Sequence, residues 1–166
     1  MAFKKTDVAV LDFNPFSKIG KEWFLVTAGN EKNFNTMTAS WGGAGVMWGK
    51  NIFTTVIRTN RYTYEFIENG DFFSICFFGD ECREALKFCG ANSGRDYDKP
   101  KETGLTPCFI DGVPAFEEAQ TVLICRKLYA KELDRSAFID SSALGFYEND
   151  PMHKAYVGEI TAAYVK

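Results

Sequence analysis

Asn35-Thr36-Met37-Thr38-Ala39-Ser40-Trp41, running directly into Gly42-Gly43-Ala44-Gly45, decides how this chain is read. In an extended strand, alternation sends Asn35, Met37, Ala39 and Trp41 to one face and Thr36, Thr38 and Ser40 to the other. One side is then largely apolar, the other is lined by hydroxyls, and a glycine-rich segment follows at once. Such a wall suits a planar ligand with hydrogen-bonding groups along its edge. Working outward, Glu22 to Ala28 reads as a strand and Gly29 to Asn33 as the turn that makes a hairpin with the quoted string. Gly42 to Lys50 carries Val46, Met47 and Trp48 among its glycines and is expected to be an ordered loop packed over something.

The next informative stretch is Val56-Ile57-Arg58-Thr59-Asn60-Arg61-Tyr62-Thr63-Tyr64-Glu65-Phe66-Ile67. A β-branched run, Ile52 to Arg58, gives way to a helical pattern over about Asn60 to Glu68, with Thr59 or Asn60 as N-cap. Two arginines and several hydroxyls beside a helix start make an anion site. Free backbone N–H groups and the helix dipole favour negative charge there, and guanidinium groups add charge-assisted hydrogen bonds. A phosphate monoester fits that corner.

A third stretch is Phe88-Cys89-Gly90-Ala91-Asn92-Ser93-Gly94-Arg95-Asp96-Tyr97-Asp98-Lys99, followed by Glu102-Thr103-Gly104-Leu105-Thr106-Pro107. Gly94 permits backbone angles closed to other residues, and Ser93, Arg95 and Lys99 offer donors to a phosphate or a carbonyl. Asp96 and Asp98 are placed to orient those cations.

Taken together and in this order, the three stretches resemble the flavin reductase family, the FMN-binding split-barrel proteins that include flavoredoxin. The resemblance implies a mainly β fold with helical insertions, a six-stranded antiparallel Greek-key split barrel, over residues 1–166 as a single domain. It implies an FMN cofactor held by Asn35, Thr36, Met37, Thr38, Ala39, Ser40 and Trp41 along the strand. Arg58, Thr59, Arg61, Tyr62 and Thr63 hold its phosphate, and Ser93, Gly94, Arg95 and Lys99 approach from the loop after the second helix. FAD presents a phosphate to the same corner, so the choice between the two flavins rests on the family. The resemblance also implies a homodimer with flavin sites at the subunit interface. Pyridoxamine-phosphate oxidases share the broad barrel, but the N-T-M-T-A-S-W and S-G-R-D-x-D-K strings fit them poorly.

The single histidine lies in Pro151-Met152-His153-Lys154-Ala155-Tyr156-Val157-Gly158-Glu159-Ile160, a segment similar to the last strand of flavoredoxin-like members. There His153 comes near the flavin and is the candidate catalytic group, facing a nicotinamide or another donor. Two-component reductases of this fold often carry G-D-H-x-x-x-x-G here. The departure leans toward a carrier fed by an electron-transfer protein and away from NAD(P)H oxidation. If flavin binds, it carries the redox chemistry, and the protein contributes orientation and access. An FMN store or sensor without turnover is the competing class.

The remaining chain is read more coarsely. Phe72 to Phe78 is a buried strand, Asp80 to Phe88 a helix, and Cys108 to Ile110, Ala119 to Leu133 and Tyr156 to Val165 are strands, the second long enough to carry a bulge. With 166 residues the chain can bury a sizeable core. Sixteen Phe supply bulk for a barrel interior or a subunit interface. A net charge of −3 with scattered cations argues against nucleic-acid binding.

The N-terminal residues lack an apolar signal region, and no apolar run reaches membrane-span length, so a cytoplasmic protein that does not enter membranes is expected. Five cysteines without a C-x-x-C pair argue against a disulfide framework or structural zinc, and Cys82 and Cys89 read as small core residues on one helix face. One histidine rules out a histidine-rich metal centre within the chain. Ser141 and Ser142 lack a recognisable nucleophile elbow, which makes hydrolysis a poor reading.

Overall fold

The computed structural model describes residues 2–166. Its elements run β1 (Lys4–Thr6), α1 (Pro15–Ser17, continued by a π-turn over Lys18–Glu22), β2 (Phe24–Asn30), β3 (Asn33–Ala39), β4 (Gly42–Met47), β5 (Lys50–Arg58), α2 (Tyr62–Asn69), β6 (Phe72–Phe77), α3 (Arg83–Ala91), α4 (Lys99–Thr103), β7 (Pro107–Ile110), β8 (Val113–Phe116), β9 (Thr121–Glu132) and β10 (His153–Val165). One antiparallel sheet has the order β3-β2-β6-β9-β10-β5-β4, with β1 on β10, and β7 and β8 form a separate hairpin. The six barrel strands are β2, β3, β5, β6, β9 and β10; β4 and β1 extend the sheet beyond them.

The sheet is apolar on both faces, which is why its strands read as nearly continuous apolar runs. Phe24, Val26, Phe73, Ile75, Phe77, Leu123 and Cys125 point inward to a core that includes Phe53, Ile57, Tyr156 and Ile67 of α2. The alternate residues Leu25, Cys76, Val122 and Ile124 face outward, where Leu86 and Cys89 of α3 and Val113, Ala115 and Phe116 of β8 cover them. Edge-on aromatic packing ties Phe24 to Phe53 at 5.3 Å and Phe13 to Phe77 at 5.1 Å. The long β9–β10 pairing shifts register at Val157/Gly158 and at Ile160/Ala162, in keeping with the expected bulge.

Several expectations are corrected. Gly42 to Lys50 is not a loop: β4 pairs with β5 from Gly42↔Thr55 to Met47↔Lys50. Trp48 and Gly49, at φ 52° and 68°, form the two-residue turn. Glycine lowers strand preference but leaves backbone pairing intact, and here the edge strand is short and largely exposed. Helix α2 takes Arg61 as its N-cap, in extended backbone and without a side-chain hydrogen bond, so neither Thr59 nor Asn60 caps it. Asp80 opens a short 3-10 turn rather than capping α3. Helix α4 was not anticipated: Asp98 caps it, and Gly104 ends it at φ 72°.

The split that names this architecture is visible in the pairing. β3 bonds only to β2, and β5 beyond Thr55 bonds only to β10. Met37 to Ser40 therefore face Val56 to Arg58 across an unpaired gap, bridged covalently where Ser40-Trp41 leads into β4.

Gly29 holds the β2–β3 hairpin at φ 124°, and a Cβ there would meet the Asn33 carbonyl oxygen at 2.4 Å and the Phe34 Cα at 2.5 Å. Both neighbours are backbone and cannot swing aside. Gly29→Ala is expected to cost about 2–3 kcal/mol of unfolding free energy in urea titration; an unchanged midpoint would mean the hairpin yields freely.

Candidate functional site

Two cavities meet at Arg61. The first, of 240 Å³, occupies the gap and is lined by Met37, Thr38, Ala39, Ser40, Trp41, Val56, Arg58, Arg61 and His153. The second, of 130 Å³ and more enclosed, lies between the start of α2 and the loop after α3. It is lined by Asn35, Met37, Asn60, Arg61, Tyr62, Thr63, Cys89, Gly90, Asn92, Ser93, Gly94, Arg95 and Lys99. Of the predicted site residues, Thr36 and Thr59 line neither. Val56, Asn60, Cys89, Gly90 and Asn92 join the walls without having been singled out.

The alternation of β3 was anticipated, but its hydroxyls serve the protein rather than the gap. Thr36 is buried and shares a 2.8 Å hydrogen bond with Thr27, its cross-strand partner, and the Thr38 hydroxyl donates to the Leu86 carbonyl of α3. On the opposite face, the Asn35 amide donates to the Thr63 hydroxyl at 2.7 Å. That bond fixes the first turn of α2 against the sheet. Gly94 packs on the same amide so closely that a Cβ would stand 1.9 Å from Asn35 Oδ1 and 3.1 Å from the Tyr62 ring. The wall of the smaller cavity at position 94 therefore has no room for a side chain.

The cations divide by what they already hold. Lys99 is 4 % exposed, and its ammonium donates at 2.8 Å both to the Thr36 carbonyl on the free edge of β3 and to the Cys89 carbonyl near the end of α3. An ammonium has three donors, so one remains for the cavity. Burial first, with help from Arg61, pushes Lys99 down to about 8.

Arg95 forms a salt bridge with Glu65 and lies 4.8 Å over the Tyr62 ring. Arg58 donates at 3.0 Å to the carbonyls of Pro151 and Phe146, sits 3.8 Å from Asp150, and covers the Tyr147 ring at 5.4 Å. It thereby straps residues 146–151 beside the gap while still lining it. Arg61 makes no side-chain hydrogen bond or salt bridge among the described residues, and it faces both cavities.

His153 belongs to β10 itself, opposite Arg58 in the ladder. The residue is 8 % exposed, Nδ1 is 2.9 Å from the Tyr147 hydroxyl, and the Trp41 ring lies tilted against the imidazole at 5.1 Å. Phe146 in turn meets Trp41 edge-on at 5.0 Å. Burial, followed by the charges of Arg58 and Arg61, lowers His153 to about 4. The imidazole is neutral at physiological pH and acts as a hydrogen-bonding group, not as a proton donor of acidic strength. Nothing in the local sequence marks Tyr147 as its partner; the contact arises because the 3-10 turn over Ser141–Tyr147 folds back on β10.

Of the cysteines, only Cys89 borders these cavities, where its carbonyl accepts from Lys99. Cys82 and Cys89 are buried, as expected for core residues, and all five are free. Burial raises the Cys76 thiol to about 12 and that of Cys89 to about 11, which makes them poor nucleophiles.

A split barrel whose unpaired gap opens into a cation-rich corner at a helix start is the architecture of the flavin-binding split barrels. A family model described as a flavin reductase like domain matches residues 16–166, and the chain belongs to that family. Among solved structures, flavoredoxin from Methanosarcina acetivorans superposes with a TM-score of 0.68 at 23% identity, covering 87% of this chain and 68% of its own. The FMN-binding domain of a flavin reductase-like enzyme from Shewanella baltica OS155 gives 0.71 at 18% identity, covering 99% and 77%. The styrene monooxygenase flavin reductase of Pseudomonas putida S12 gives 0.63 at 12%, covering 87% and 79%. At these identities the likeness establishes the fold. No curated protein matches the chain in sequence. No helix among the described residues is long and apolar enough to cross a membrane.

Proposed function

We propose that this chain binds FMN and works as a flavin reductase-like or flavoredoxin-like oxidoreductase, passing electrons from NAD(P)H or a protein donor to an acceptor. The observation that carries the reading is the junction at Arg61. A 240 Å³ cavity in the barrel gap adjoins, at Arg61, a smaller cavity where a guanidinium, a buried ammonium and an uncapped helix start converge. Beside burial, the Arg61 charge helps to hold both Lys99 and His153 below their ordinary values. A phosphate dianion relieves that field.

In this reading Arg61, Thr63, Ser93 and the first N–H groups of α2 hold the phosphate, with Lys99 beneath it and Gly94 giving room. Met37, Ala39, Ser40 and Trp41 line one side of the ring, and Val56 the other. His153, held by Tyr147, offers Nε2 to the ring edge. Bound flavin supplies the redox chemistry, while the chain orients it and limits water. The exposed apolar side chains of β4 and its turn, with Val46 74 % and Trp48 60 % exposed, continue from Trp41 along the sheet edge. Such a patch suits a second copy of the chain in a homodimer.

The test is the visible spectrum of the purified protein under anaerobic conditions, before and after NADH and then NADPH. Flavin bands that bleach are the expected result for a reductase. Bands that persist with nucleotide but bleach with a reduced electron-transfer protein support the carrier form, which the strap of Phe146 and Trp41 over the gap favours. A colourless protein that takes up no added FMN overturns the reading.

A further inference from the structure

The connection between β9 and β10, residues 133–152, stands apart from the rest of the chain in charge and in exposure. It carries four carboxylates, Asp134, Asp140, Glu148 and Asp150, against one cation, Arg135, a net charge of −3 that equals that of the whole chain. The other residues therefore sum to zero. Arg135 is itself spent internally, donating at 2.8 Å to the Tyr147 carbonyl. All four carboxylate residues are exposed, and two large apolar side chains are exposed among them in the sequence: Ile139 fully, directly before Asp140, and Phe146 by more than half, two residues before Glu148.

A connection of this length without strand or long helix is uncommon in a compact domain unless it is disordered or functional, and this one is built. Asp134 and Asp140 each cap a 3-10 turn, Phe138 packs edge-on against Tyr147 at 5.9 Å, and Arg58 and His153 hold it to the barrel through Phe146, Pro151 and Tyr147. Ile139 adds nothing to that order, and among the described residues the Glu148 carboxylate makes no hydrogen bond or salt bridge. Phe146 also places the segment at the flavin gap, since it meets Trp41, which lines the gap.

We propose that residues 133–152 form the docking face for a small electron-transfer protein whose redox centre is ringed by basic side chains. The redox role rests on the flavin reading above; the docking does not. Apolar anchors with a charged rim are the usual make-up of a protein–protein contact, and an excess of one sign on one face steers a partner of the opposite sign and repels one of like sign. The phosphates of a nicotinamide nucleotide are disfavoured at this face on the same ground. A one-electron partner needs two encounters to match the two-electron capacity of a flavin, and the protons pass to or from solvent water.

Ferricytochrome c, basic around its haem edge, is the probe. It is titrated into the purified protein by calorimetry at ionic strengths of about 10 mM and about 150 mM, between which the screening length falls from roughly 30 Å to 8 Å. Binding at low salt that weakens severalfold or more at the higher salt is expected. Asp134→Asn with Asp140→Asn and Glu148→Gln neutralises the segment and keeps both caps; it should weaken low-salt binding roughly tenfold or more. Ile139→Ser should weaken binding without altering its salt dependence. Glu31→Gln with Glu102→Gln and Glu117→Gln changes the net charge equally at exposed carboxylates elsewhere and should bind as the wild type does. No binding by the wild type, or equal weakening in the two triple variants, would overturn the proposal. So would a change of oligomeric state in sedimentation of Ile139→Ser, which would make the face a contact between copies of this chain. Flavin uptake is read separately by absorbance: a protein that docks the probe but takes up no FMN removes the flavin reading and leaves the docking face standing.

Discussion

Arg61→Ala is expected to weaken FMN binding by about 1.5–3 kcal/mol, roughly ten- to a hundredfold in Kd, while riboflavin affinity stays near that of the wild type. The asymmetry is the point. Arg61 is the cation at the cavity junction that no protein acceptor holds, so its charge is available to a phosphate and irrelevant to a ligand without one. Arg58→Ala is expected to behave differently although the two residues share an R-x-x-R string. Its guanidinium is committed to the carbonyls of Phe146 and Pro151, so its loss loosens the strap beside Trp41 and lowers affinity for FMN and riboflavin alike. Isothermal titration of both variants with both ligands separates the roles. An Arg61→Ala protein that loses the two ligands equally would move the phosphate elsewhere.

The contrast between the two arginines marks where sequence reading stops. The spacing places both beside a helix start, and the structure does bring both to one cavity. What spacing lacks is knowledge of the distant carbonyls at 146 and 151, which turn one arginine into a tether. Lys99 is similar: its motif supplies a donor near the site, but its burial against the β3 edge and its tie to α3 depend on tertiary packing. Thr36 is buried because a cross-strand threonine, Thr27, stands opposite it in register and shares its hydroxyl.

The fold was more legible, because the apolar runs of Phe24 to Ala28 and Phe72 to Phe77 and the strand-to-helix change at Arg58 are local signals. Two hairpins were missed through turn chemistry that was present in the string. Asp111-Gly112, at φ 52° and 79°, joins β7 to β8, and Trp48-Gly49 joins β4 to β5. Both are two-residue turns with positive φ at each position, the first with the residue pair such turns favour. Glycine density in one case and the shortness of β7 and β8 in the other concealed them. The partnership of Tyr147 with His153 left no local trace at all, since it is made by a loop returning from outside the barrel.

His153 is expected to dominate the acid sensitivity of the fold between pH 6.5 and pH 5. Its folded value of about 4 lies below its ordinary value of 6.5. As pH falls through 6.5 the unfolded chain takes up a proton that the folded protein refuses, so stability declines with falling pH until the folded imidazole itself protonates near 4. Full loss across that window is about 3 kcal/mol, and about 2 kcal/mol of it is spent by pH 5.

Burial comes first in setting the sign, and the groups facing the ring add to it: two guanidiniums, Arg58 and Arg61, oppose a third positive charge, and Asp150 offsets them only in part. The carboxylates held low by cationic or hydroxyl partners, such as Glu68 and Glu159, act in the same direction but lose their contribution only at lower pH, because their unfolded values lie near 4.5. Urea unfolding at pH 7, 6 and 5 should therefore show a decline in the wild type that is largely absent in His153→Gln, which retains a polar group for Tyr147 but cannot titrate. A dianionic ligand at Arg61 adds a second signature. By neutralising one of the two opposing charges it raises the imidazole toward its ordinary value, so saturating FMN should flatten the decline between pH 6 and pH 5 more than saturating riboflavin does. Parallel slopes in wild type and His153→Gln would place the acid-sensitive group elsewhere and leave His153 without the electrostatic setting argued for it.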